Sequence, residues 1–415
     1  MTPVERARAI LRANDRGGYT VPTARLYPFQ WNWDSAFVAM GWATFDGARA
    51  WDEMEFLLRG QWEDGLIPQI VFHAPSDDYF PGPDVWGIHR DPPTSGITQP
   101  PVLATAARHV LEATEDAPRM AAMYPRLVRN HRWWEAARDP AHTGLVTTLH
   151  PWETGMDNSP AWDRPLARVP LTTVTRIVRR DTGHIDPSMR PRGEEYQRFI
   201  HLVDAFRAVA WDPARMLDVS PFRVADIGTN AILLRAERDL LALAGQFGTL
   251  DEVGEIEARI ERKVAAMEGL WVASLGRYVS RDLIDDSAIE VATSACLLPL
   301  FAGVAGPERA TALAGMVRRW AGRVPHMVPS TDPDAGSFEP VRYWRGPIWA
   351  VVNWMIAEGF VLAGNAELGA RIHAETSALI ETAGFSEYFD PTDGRGVGGA
   401  DFSWTAAIFL MLHAD

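Results

Sequence analysis

The chain has 415 residues, a formal net charge of −14 and 47% hydrophobic residues. Its length suits one large domain or two medium ones, and the apolar fraction excludes wholesale disorder. The acidic balance argues against nucleic acid or an anionic membrane as a partner, since both call for a basic surface. Lys263 is the sole lysine and follows Arg262, which excludes a Gly-Lys-Ser/Thr phosphate loop and a lysine Schiff base. Cys296 is the sole cysteine, so intrachain disulfides, Cys-x-x-Cys redox chemistry and cysteine zinc sites are excluded. Its apolar flanks read as those of a buried thiol.

Glu5, Arg6 and Arg8 stand where a signal peptide would be apolar. No uncharged run reaches the roughly 18 residues of a membrane span, so the cytoplasm is the expected address. Helical periodicity then predicts helices over 3–14, 33–43, 47–60, 99–113, 118–138, 194–211, 226–245, 250–268, 287–300, 307–321, 347–362, 365–383 and 403–413. Strand-like alternation is brief, at Ile67–Phe72 and Arg277–Ser280. Setting the first helix aside leaves about twelve in six hairpins, as in an (α/α)6 toroid, an all-α barrel of six inner helices wrapped by six outer ones. A repeat array would need a fixed period of about 33–45 residues, and none runs through the chain. The expected organisation is a single catalytic domain over 1–415.

Four connections, 62–98, 140–193, 322–346 and 384–402, far exceed the usual ~2–8 residues between helices, and such loops build lids and site walls. The segment 140–193 reads as an inserted cap. From Arg164 to Arg198, eight arginines stand against four acidic residues. This is either a solvated loop or a lid that offers guanidinium forks to an anion.

Several of the 17 tryptophans stand beside Asp, Glu, Asn or Gln. Such plates suit a sugar, whose C–H faces stack on rings while its hydroxyls seek polar partners. Tyr27 to Phe37 places Trp31 and Trp33 around Asp34, which either caps the following helix or holds sugar hydroxyls. Pro151 to Asp163 brackets Asp157 between Trp152 and Trp162. Its Asp-Asn-Ser run alone would read as a turn, and the tryptophans favour a site. Val341 to Trp349 contains Pro347, placed as the first residue of a helix. Gly384 to Pro391 carries Glu387 and leads into the glycine-rich turn 394–399. That turn lacks the strand-turn-helix context of a dinucleotide loop.

Trp31-Asn32-Trp33-Asp34, Gly155-Met156-Asp157-Asn158-Ser159, Tyr343-Trp344-Arg345-Gly346-Pro347-Ile348-Trp349 and Glu387-Tyr388-Phe389-Asp390-Pro391, in this order, resemble glycoside hydrolase family 63. Within it the resemblance is to the short bacterial mannosylglycerate and glucosylglycerate hydrolases, and it runs from about Tyr19 to the C-terminus. It implies an (α/α)6 barrel and hydrolysis with inversion. It implies that Asp157 is the general acid and Glu387 the general base, and that Trp33, Asp34, Trp152, Gly155 and Trp349 cradle the sugar. Tyr27, Gln99, Arg190, Tyr196, Tyr343 and Trp344 resemble positions that hold the glycerate, with Arg192 as an alternative to Arg190. Trp31 joins them as a substrate-binding aromatic. The implied substrate is 2-O-α-D-mannosyl-D-glycerate and its glucosyl analogue, a small glycoside with an anionic aglycone.

Glycoside hydrolysis independently asks for two carboxyl groups flanking the scissile bond. Asp157 and Glu387 are 230 residues apart, so a closed ring must bring them together. A trehalase-like or broader α-glucosidase shares these requirements. A sugar epimerase would need a histidine pair, and His150 alone touches the clusters; a helical interaction scaffold would lack the long loops. No cofactor and no metal is expected. His131 and Glu135 have the wrong spacing for a known zinc motif and read as core or surface residues. A homo-oligomer is compatible with the sequence.

Overall fold

The computed structural model describes residues 1–24 and 26–414. Helices Asn32–Ala43, Ala350–Leu362 and Ser403–Leu412 are apolar on nearly every side, so each must be buried between neighbours. They are joined by Leu103–Thr114, Ile227–Phe247 and the short Leu298–Phe301, each packed on the next, and the last inner helix packs on the first. The inner ring therefore closes. Pro3–Asn14, Gly47–Arg59, Ala117–Arg138, Leu250–Glu268, Pro307–Ala321 and Ala366–Ala383 alternate with these in the chain and form the outer ring. Thr2, Asp46, Asp116, Thr249 and Asn365 cap five of them, each side chain accepting from a backbone N–H of the first turn.

This (α/α)6 barrel differs from the expected helix count in one respect. The first helix is an outer-ring member, packed on Ser403–Leu412. The helix expected at 194–211, found as Gly193–Ala208, stands outside the ring and packs on Pro213–Val219. The segment 287–300 is not one helix. Ser287–Ile289 pairs with Ser280–Asp282, and helix resumes only as a 3-10 turn at Ser294–Leu297 and one α-turn at Leu298–Phe301. Pro299, which has no N–H to donate, is confined to that first turn. Pro100 and Pro101 likewise delay the helix expected from 99 until Leu103. Pro347 does not start its helix, which begins at Ala350. Ile348 instead exchanges backbone hydrogen bonds with Phe389, at 2.8 and 3.0 Å, and is held extended. The strand-like runs shrink to Ile70–Val71, paired with Gln30–Trp31, and to Arg277–Tyr278 and Ser280–Asp282.

Cys296 is buried, as read from its flanks. His131 is a core residue, its Nδ1 3.2 Å from the buried Glu237 carboxylate, and Glu135 pairs with Arg262. Among the described residues no helix is long and apolar enough to cross a membrane.

Close inner-ring packing depends on glycine. A Cβ on Gly41 would lie 2.5 Å from the Ala407 Cβ and 2.6 Å from its Cα, where the first and last inner helices meet. Gly41→Ala should therefore cost about 1–3 kcal/mol of stability despite its better helix propensity. Urea unfolding checks this: a variant as stable as wild type would mean that the contact relaxes freely.

Candidate active site

The long connections meet at one mouth of the barrel, around one cavity. Each wall is tied to a neighbour. Arg138, at the end of an outer helix, donates to Glu153 at 2.7 Å, and the Leu149 N–H donates to its other oxygen at 2.7 Å. This pins the 3-10 turn Pro151–Thr154 from which Gly155 and Asp157 follow. The Trp344 N–H donates to Asn158 Oδ1 at 2.9 Å, and Arg345 forks onto Asp163 at 2.7 and 2.8 Å, joining that loop to the 343–349 segment. The cap is clasped over the mouth by Arg342, which donates to the Arg190 carbonyl at 2.8 Å, and by Tyr388, which donates to the Met189 carbonyl at 2.7 Å.

Asp157 and Glu387 both line this cavity, together with Asp34. Asp34 sits in the first turn of Asn32–Ala43, not at its cap, which is Trp31. Glu387 accepts from Tyr27 Oη at 2.9 Å and from the Gly399 N–H at 2.9 Å, and Arg190 Nη1 lies 3.4 Å from its Oε1. The glycine-rich turn thus serves the carboxylate. A Cβ on Gly398 would lie 2.5 Å from Glu387 Oε2. Tyr343, held at a φ of +42°, carries Arg190 over its ring at 4.2 Å, and its hydroxyl meets that of Tyr27 at 3.3 Å. Such backbone strain in a bulky residue concentrates at functional sites.

Burial pushes the Asp157 carboxyl up to about 8, and the nearby Glu387 adds to this against the field of Arg190. Asp34 is raised well above the carboxylate range by burial, with Glu387 and Asp157 as like charges. Glu387 is also raised by burial, but Arg190, the Gly399 N–H and Tyr27 oppose the rise. Burial holds Tyr27 and Tyr343 as neutral hydroxyls. The environments of Asp157 and Glu387 are therefore unequal: Glu387 has three donors for its charged form, while Asp157 has no comparable set among the described residues.

Residues 27–405 match the mannosylglycerate hydrolase MGH1-like glycoside hydrolase domain. The chain is 50% identical over 413 residues to a mannosylglycerate hydrolase of Thermus thermophilus, covering 98% of this chain and 99% of that one. It is 48% identical over 412 residues to mannosylglycerate hydrolase MGH1 of Selaginella moellendorffii, covering 98% of this chain and 84% of that one. The crystal structure of a family 63 mannosylglycerate hydrolase from Thermus thermophilus with Tris and D-glycerate superposes with a TM-score of 0.96 at 50% identity, covering 99% of both chains. The chain belongs to this family. It is a glycoside hydrolase of family 63.

The cavity of this hydrolase gathers Tyr27, Trp31, Trp33, Asp34, Gln99, Trp152, Gly155, Arg190, Tyr196, Tyr343 and Trp344, all expected from the sequence. Trp349 is the exception. It stacks behind Trp344 at 3.8 Å with the two planes 4° apart, and so backs the wall instead of lining it. Arg190 is buried at the cavity, whereas Arg192 is half exposed and pairs with Glu339, which separates the two candidates. The remaining cap arginines are spent elsewhere: Arg164 on Asp285, Arg168 on Asp282, Arg179 on Asp181, and Arg198 on the carbonyls of Leu166 and Ala167, while Arg176 and Arg180 face solvent. Gln69, Tyr79, Phe80, Asp181, Phe402 and Trp404 also line the cavity and belong to none of the sequence clusters. The adjacent aromatics Tyr79 and Phe80 are a weak signal in the sequence, and Gln69 gives none.

Gly155 has a φ of +70°, and a Cβ there would lie 2.7 Å from the Trp33 ring. Gly155→Ala should cost about 1–3 kcal/mol and push that wall aside. Denaturant unfolding and the emission maximum of tryptophan fluorescence report the two effects; an unchanged spectrum and midpoint would show that the close approach is unimportant.

Proposed function

We propose that this hydrolase cleaves 2-O-α-D-mannosyl-D-glycerate, and its glucosyl analogue, to hexose and D-glycerate with inversion at the anomeric carbon. The observation that carries the reading is that Asp157 and Glu387, brought from distant loops, line one tryptophan-walled cavity together with a buried arginine. Asp157, kept protonated at neutral pH by burial, donates its proton to the glycosidic oxygen as the bond to the anomeric carbon breaks. Glu387, whose charged form is favoured by Tyr27, Gly399 and Arg190 against the effect of burial, takes a proton from the water that attacks the opposite face. The proton count balances: one leaves with glycerate and one arrives on Glu387. Trp33 and Trp152 offer faces for the hexose, and Asp34 offers oxygens to its hydroxyls.

Arg190 favours an anionic aglycone over a neutral disaccharide, because a buried guanidinium binds a carboxylate with charged hydrogen bonds and gains less from a hydroxyl. The relatives named for mannosylglycerate and the D-glycerate complex of the Thermus protein support the same substrate.

Proton NMR of the anomer first released from mannosylglycerate tests substrate and stereochemistry together: β-mannose supports inversion, and α-mannose sinks it. Asp157→Asn and Glu387→Gln should each lower kcat by roughly 10²–10⁴ with the fold retained. Since the acid works only while protonated, wild-type activity should fall as pH rises past about 8, and the residual activity of Asp157→Asn should lack that limb. Arg190→Ala should raise KM for mannosylglycerate at least tenfold more than KM for a neutral aryl mannoside, on the order of the loss of one charged hydrogen bond. Equal rises would remove Arg190 from aglycone recognition.

A further inference from the structure

Asp181 belongs to the cap and lines the cavity, yet no motif contains it. Its Oδ2 accepts from Arg190 Nε at 3.2 Å, and Arg179 closes on its two oxygens at 3.0 and 2.5 Å. Arg190 Nη1 stands 3.4 Å from Glu387 Oε1. One guanidinium thus lies between two carboxylates, with its face held over the Tyr343 ring. Resting on the functional reading above, we propose that Asp181 is a positioning residue that shares the charge of Arg190, leaving Glu387 a competent base and the guanidinium open to one aglycone carboxylate.

The balance of charge around Glu387 decides how well it accepts a proton. Glu387 is faced by Tyr27 from the N-terminal loop, Tyr343 from the loop before Ala350–Leu362, Asp34 from its inner helix and Asp157 from the 155–159 loop. Tyr388 lies on its own strand, and Arg190 comes from the cap. Arg190 is the cation among them. Charged pairs free to close do so at about 2.7–2.9 Å and often through two bonds. The single 3.4 Å contact is what remains when Nε is engaged by Asp181 on the other side. With the Asp181 charge removed, Arg190 acts more strongly on Glu387, which becomes a weaker base. The same change makes the cavity more attractive to an anion. Catalysis and anion binding therefore move in opposite directions, which a general loosening of the cap would not produce.

The test uses Asp181→Asn and Asp181→Glu, with kcat against pH on mannosylglycerate and calorimetric titration of D-glycerate. Asp181→Asn should lower kcat roughly tenfold, move its acid limb down by about half a pH unit and tighten D-glycerate roughly threefold. Asp181→Glu, which keeps the charge, should stay within about threefold of wild type with an unmoved limb. If kcat and glycerate binding weaken together and the limb does not move, Asp181 is merely structural and the proposal is overturned. Should Asp181→Asn fail to fold, Asp181→Glu decides alone: a loss well beyond threefold overturns it. A wild-type enzyme inactive on mannosylglycerate would overturn the functional reading first, and this inference with it.

Discussion

Asp34, Asp157, Asp181 and Glu387 share one aromatic-walled cavity with Arg190, and their mutual electrostatics govern what the site can do. Carboxylates gathered at low dielectric resist ionisation together, so each added charge raises the proton affinity of the others. The chain resolves this by unequal provisioning. Glu387 receives a phenol, a backbone N–H and a guanidinium; Asp181 receives two guanidinium groups and is held below the usual carboxylate range despite its burial. Asp157 receives burial, which pushes its carboxyl up to about 8. Two carboxyl groups in one cavity are thereby given unequal surroundings: both are raised by burial, but only Glu387 has a phenol, a backbone N–H and a guanidinium that oppose the rise.

Holding that arrangement demands rigid loops, and loops have little core of their own. Here the supports are buried ion pairs and stacked rings. Arg138–Glu153 lies almost wholly out of solvent at the end of an outer helix, and Trp349 backs Trp344 with Tyr388 stacked on its other side at 4.6 Å. A buried ion pair contributes little net stability over an apolar pair, but breaking it leaves an uncompensated charge. Such pairs suit geometry better than they suit stability, and these ones sit immediately behind the residues that face the cavity.

The ring was legible because its helices are long and their apolar positions recur with helical spacing. Local periodicity misleads where tertiary context wins. Gly193–Ala208 has the same periodicity as a ring helix, since it too buries one face, but that face lies under the cap. The inner element at Leu298–Phe301 is shorter than its apolar run suggests, because that run adjoins a strand pairing which periodicity does not report. Within the site, residues in aromatic and carboxylate clusters were found, for clustering is visible in one dimension. Asp181 and Gln69 reach the cavity only through folding, since neither stands in an aromatic and carboxylate cluster. The surplus of cap arginines was a real signal with a different meaning: most satisfy carboxylates and carbonyls that hold the cap in place, and Arg190 alone among them reaches the cavity wall.

That distribution bears on how an acidic protein takes an anionic ligand. With a net charge of −14, the long-range field opposes the approach of the proposed substrate. Screening limits the opposition to about 8 Å at physiological ionic strength, so it acts mainly at the mouth. Inside, the proposed recognition rests on a single guanidinium, Arg190, which stands between the carboxylates of Asp181 and Glu387. Such a site selects by fit and desolvation more than by attraction: an anion is favoured only where its oxygens meet Arg190, Tyr27 and Tyr343 together, and a carboxylate placed elsewhere meets acidic walls. On the function proposed above, specificity arises from repulsion as much as from contact, and the scarcity of positive charge in the cavity is what would keep Glu387 able to accept a proton.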